Sequence, residues 1–148
     1  MAQPARPGGG FDMARMSTGS KILMAAGVLL FIDLFLPWQS VDFGPFGSAN
    51  VSGFSGLGIL VAILVIALLV WEGLLIAGVN INMGTTSPAL ISAILGGATA
   101  LFTIILFLTR LTAVSFGAFI GLILALVLAY GAYVRYNESK VTTPPPAV

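Results

Sequence analysis

Apolar positions along this chain run in long unbroken blocks. They show neither the alternation of a half-buried strand nor the single apolar stripe of a helix resting on a water-soluble core. Four such blocks, at about residues 18–37, 55–78, 88–109 and 113–134, are each close to the roughly 17–25 residues that cross a bilayer's hydrocarbon as an α-helix. The pattern predicts an all-α fold, a bundle of four transmembrane helices. Local signals set the expected boundaries. Ser17, Thr18 and Ser20 offer capping oxygens before the first helix, and Pro37-Trp38 closes it. Gly78 and Asn80 close the second, and Ser87-Pro88 opens the third, with proline where its missing N–H costs nothing. Little more than Leu111 and Thr112 separates the third from the fourth, so these two are expected to form a tight antiparallel hairpin.

The polar segments are short. Residues 39–54, rich in glycine and carrying the single charge Asp42, are expected to make turns but no packed domain. Residues 1–16, with Pro4, Pro7 and Gly8-Gly9-Gly10, and residues 137–148, with Pro144-Pro145-Pro146, are too poor in apolar and helix-forming residues to order themselves. The predicted organisation is a disordered tail (1–16), a four-helix membrane domain (17–136) and a second tail (137–148). The first apolar block comes after basic residues as a signal peptide's core would. It is long for that role and no small-x-small cleavage site lies directly after it, so it reads as a retained helix. Arg6, Arg15, Lys21, Arg135 and Lys140 lie toward the termini, against only Arg110 in the loops of the other side. By the bias of Lys and Arg to the inner face, both termini are expected to be cytoplasmic.

Composition narrows the chemistry. The chain is 58% hydrophobic and 7% charged, with no His and no Cys, whereas soluble domains carry about 25% charged residues. Imidazole and thiolate metal sites, Ser-His-Asp and Cys-His nucleophiles and disulfides are excluded. Six Lys and Arg against five acids form no basic cluster for nucleic acid. No catalytic, cofactor-binding or metal-binding residue is expected, and the few acids form no pair suited to acid–base work.

Two sets of residues stand out. Asp33, Glu72 and Arg110 are ionisable groups in or at the edge of the spans, where a charge needs a partner, a cavity or a functional path. Asp33 lies near the outer end of its helix and Glu72 near the inner end of its own, so the expected pairings are Asp33 with Arg110, and Glu72 with Lys21 or Tyr130. The second set is the small-residue stripe Ala113, Gly117, Gly121, Ala125 and Ala129 on the fourth helix. Such a stripe lets two backbones approach closely, within the bundle or between copies. Matching small faces on the third helix are Ala89, Ala93 and Gly97 on one side, and Ser92, Gly96 and Ala100 on the other.

The run Ser17-Thr-Gly-Ser-Lys-Ile-Leu, continuing through Leu30-Phe-Ile-Asp-Leu-Phe-Leu-Pro-Trp38, with Leu69-Val-Trp-Glu-Gly73 and Ser87-Pro-Ala-Leu90, resembles small four-helix integral membrane proteins of actinobacteria. The resemblance implies origin and topology, and no activity. Claudin-like tetraspans require a Trp-Gly-Leu-Trp motif and paired cysteines that are missing, and small multidrug exporters place their first-helix acid deeper than Asp33. The expectation is a non-enzymatic multi-pass protein of a bacterial plasma membrane. It acts as an accessory, scaffold or assembly subunit, with lipid, other membrane subunits or a second copy of itself as partners. The alternative is a small oligomeric transporter or channel with Asp33 or Glu72 lining the path.

Overall fold

The computed structural model describes residues 17–78 and 86–141. The expected N-terminal tail, the connection between the second and third helices at 79–85 and the last part of the C-terminal tail, 142–148, lie outside the described residues.

Among the described residues the chain is mostly helical, with four helices: α1 (Thr18–Asp33), α2 (Leu57–Ile76), α3 (Pro88–Thr109) and α4 (Phe116–Val141). Three segments, Leu57–Ile76, Pro88–Thr109 and Phe116–Lys140, of 20, 22 and 25 residues, are long and apolar enough to cross a membrane. α1 is shorter. Its start is set by Ser17, whose hydroxyl accepts the Ser20 N–H at 3.1 Å. It closes at Asp33 rather than at 37: Pro37 has no N–H to bond the Asp33 carbonyl four residues back, and Leu36, directly before it, is steered out of the α region. The intervening Leu34–Leu36 turn is held by i→i+3 bonds from Phe35 to Ile32 and from Leu36 to Asp33. At 1.5 Å per residue, sixteen residues rise about 24 Å.

The all-α expectation is corrected in the loop between α1 and α2. Residues 37–52 form an antiparallel hairpin of β1 (Pro37–Asp42) and β2 (Ser48–Ser52), joined by a 3-10 turn at Gly44–Phe46. Gly44 and Gly47 turn the chain at φ 65° and 95°, and Gly47 returns a carbonyl to Phe43 N–H at 2.7 Å. Asp42 Oδ1 accepts the Gly44 N–H at 2.8 Å, a short-range bond that starts the turn. The second edge of β1 is covered by the α3–α4 connection: Ser40 N–H donates to Ala113 O at 2.9 Å and Ser115 N–H to Trp38 O at 2.8 Å. Ala113 has φ 58°, a left-handed conformation that no α-helix continues, so α4 begins at Phe116 and not at 113. At its other end α4 runs through Val141, into the segment expected to be tail.

Contacts between helices give their directions. Gly19 lies against Arg135, Gly131 against Ile22 and Leu23, and Gly121 against Asp33, so α1 and α4 are antiparallel. Gly96 faces Ala132 while Phe107 meets Phe119, which makes α3 and α4 antiparallel as expected. Trp71 reaches Pro88 and Ser92, and Gly58 lies near Leu106, so α2 and α3 are antiparallel as well. Leu23, Leu30, Leu34, Val61, Val65, Leu68, Leu106 and Leu128 fill the space between the helices. Large aliphatic side chains such as Ile63, Ile94, Leu101 and Ile123 face outward, the reverse of a water-soluble surface.

Candidate functional site

Three polar groupings interrupt the apolar interior. The first lies at the end of the bundle that carries the hairpin. Arg110 comes directly after α3, where a cation complements the negative pole of the helix. It is almost fully covered. One terminal nitrogen donates to Gln39 Oε1 at 3.0 Å, and the other to Ser55 O and Ser55 Oγ at 2.7 and 2.6 Å. Gln39 in turn donates to Thr112 O at 2.9 Å. The planar guanidinium thus joins α3, β1 and the approach to α2 through neutral acceptors. Burial pulls its pKa down from the ordinary value, but arginine keeps its charge in proteins.

The second grouping centres on Asp33, also near the hairpin end, and it corrects the expected Asp33–Arg110 pair. Arg110 bonds Gln39 and Ser55 instead, and neither carboxylate oxygen of Asp33 has a hydrogen-bond partner. Asp33 is 2% exposed and Trp38 0%. The Trp38 indole donates to the main-chain oxygen of Asp33 at 3.2 Å. From its sequence position Trp38 belongs to an interfacial belt, but the hairpin folds it inward over α4. Gly121 makes room for it. A Cβ at this position would collide with the outer edge of the indole and lie 2.8 Å from Asp33 Oδ2. At Gly117 a Cβ would lie 2.5 Å from Pro37 O. Glycine here is a requirement of close approach rather than of backbone angle.

The remaining stripe residues divide. Ala125 is buried with Gly117 and Gly121, Ala129 is exposed, and Ala113 precedes the helix. Steps of four advance about 400° around a helix of 3.6 residues per turn, so a strict i+4 stripe drifts about 40° at each step. The buried seam keeps the true period through Leu124, Leu128, Gly131 and Ala132. On α3, Ala89, Ser92, Ala93, Gly96 and Ala100 are buried, whereas a Cβ on Gly97 would meet open space.

The third grouping lies at the end opposite the hairpin. Glu72 is fully buried, and it pairs neither with Lys21, which is exposed, nor with Tyr130, which faces outward. Its partners are Arg135 Nε at 3.3 Å and the Ser20 hydroxyl at 2.5 Å. Arg135 also contacts Glu138 at 3.3 Å, and Glu138 accepts from Ser17 Oγ at 2.7 Å and from Gly19 N–H at 3.1 Å. Carboxylates at the start of α1 meet the positive pole of that helix. Three helices are tied by one chain of charge-assisted bonds. Beside it, the Trp71 indole bonds Ser92 Oγ at 3.1 Å and Pro88 O at 3.3 Å, tying α2 to α3. In the sequence Arg135 serves only as a marker of orientation. Its pairing is nevertheless open to inference, because α2 and α4 end on the same side and Glu72 and Arg135 lie at similar depth.

Other buried hydroxyls satisfy themselves. Thr99 and Thr103 donate at 2.7 Å to the carbonyls of Leu95 and Thr99, four residues back on their own helix. No group of three or more His, Cys, Asp or Glu that could hold a metal ion occurs among the described residues. No family model matches the chain, and no curated protein or solved structure does so either.

Proposed function

We propose that this is a small non-enzymatic integral membrane protein with four spans, an accessory, scaffold or assembly subunit of a complex in a bacterial plasma membrane. One observation carries the reading. Two of the three ionisable groups in or at the edge of the spans are engaged in holding helices together, Glu72 with Arg135 and Ser20, and Arg110 with Gln39 and Ser55. α1 supplies the fourth span. It packs antiparallel along α4 from Gly19 to Asp33, and the Leu34–Leu36 turn lengthens its apolar reach. With both termini cytoplasmic, the hairpin projects outward and presents Phe46, 90% exposed, at its turn. The outward aliphatic faces meet lipid, other subunits or a second copy of the chain.

The test is purification of the full chain in mild detergent from its native membrane, followed by mass spectrometry, beside the variant Phe46→Ser. A stoichiometric membrane partner or homo-oligomer that the variant weakens is the expected result. Purification as a lone monomer that mediates solute flux in liposomes would overturn it. The second reading, a small oligomeric transporter or channel, has its support at Asp33, the intramembrane acid without a partner.

A further inference from the structure

Asp33 is the last residue of α1 and is buried against β1 and α4, with both carboxylate oxygens unpartnered. Each neighbouring element withholds the charge or donor that would settle it. β1 sets Trp38 over it, but the indole N–H goes to the Asp33 main-chain oxygen. The only charged group of β1, Asp42, bonds the hairpin turn. α4 places Gly121 against Oδ2, and its ionisable groups, Tyr130, Tyr133, Arg135, Tyr136, Glu138 and Lys140, lie toward the inner end. α3 ends on Arg110, which is bonded to Gln39 and Ser55. α2 carries Glu72, paired with Arg135 at the far end, and Lys21 of α1 stands at that end too.

An ionised carboxylate that is neither paired nor hydrogen-bonded is not sustained in such a place. One carboxyl balances one unit of charge, and among the described residues no second acid joins it to favour a divalent ion. We propose that Asp33 is a binding site for a single monovalent cation, a proton or a sodium ion, held against its carboxyl beneath the indole of Trp38. The site exists whether the protein scaffolds or transports, so it stands apart from the function proposed above.

The experiment treats the full chain in liposomes with dicyclohexylcarbodiimide, in sodium or N-methylglucamine chloride, at mildly acid and mildly alkaline pH, and reads peptide masses. The reagent adds only to a carboxylic acid: the carboxyl proton passes to one nitrogen while the carboxyl oxygen bonds the central carbon, and nothing leaves. The expected result is an adduct on Asp33 that a water-soluble carbodiimide does not form, lost in Asp33→Asn. An adduct that falls as pH rises, equally in both salts, identifies the proton; one suppressed by sodium alone identifies sodium. No adduct in either salt overturns the proposal. So does an adduct that appears only in Arg110→Gln, which would make Arg110 the counter-ion. If Asp33→Asn fails to accumulate, the pH and salt comparison on the unaltered protein decides by itself.

Discussion

At Gly121 the absence of a side chain is what brings the hairpin's tryptophan into contact with α4. Gly121→Leu puts a branched chain where the indole ring lies, and overpacking of a filled interior costs about 1–3 kcal/mol or more. The variant is expected to melt well below the parent in detergent, whereas Ile123→Leu, at a side chain 61% exposed, changes little. Equal melting temperatures would remove Gly121 from the packing seam. Arg110 makes a second test. Lysine cannot reproduce a planar fork that reaches Gln39 and Ser55 together. Arg110→Lys is therefore expected to lose about 1.5–3 kcal/mol, the scale of a hydrogen bond to a charged group, and to expose the hairpin to protease. The stripe that includes Gly117, Gly121 and Ala125 was legible as small residues at helical spacing. Its ends were not, because an i+4 count ignores helical drift and because nothing in the chemistry of Ala113 announces a left-handed backbone.

Among elements, the clasp at the end opposite the hairpin couples α1, α2 and α4, and its worth is measurable as a cycle. Arg135→Gln strands a fully buried Glu72, a change that costs about 3–5 kcal/mol when a buried pair is broken. Glu72→Gln keeps an oxygen for the Ser20 hydroxyl and leaves Arg135 with Glu138, so it is expected to be milder. The double variant is expected to recover part of what Arg135→Gln loses, read as thermal stability in detergent. Strict additivity would mean that the two side chains do not interact. The long apolar blocks disclosed all four helices, since continuous Leu, Ile and Val have few other stable arrangements in lipid. The hairpin was hidden because its short strands are mostly polar and its glycines and proline read as loop. Its register depends on bonds to Ala113 and Ser115, far along the chain, which no local pattern carries.

For the molecule as a whole, orientation is open to direct measurement. With both termini cytoplasmic, a cysteine introduced at Ser48 in this cysteine-free chain is expected to react with an impermeant maleimide on intact cells, and one at Ser139 only after lysis. The reverse pattern would invert the topology. The pairing of β1 with residues 113–115 also has a temporal side. During synthesis, Trp38 and Ser40 leave the ribosome long before Ala113 and Ser115 exist, so the open edge of β1 must wait through the making of α2 and α3 for its partner. Arg110, which bonds Gln39, arrives in the same late interval. The cap over β1 therefore closes only on a chain whose third helix is already made, and until then the strand keeps one edge unpaired.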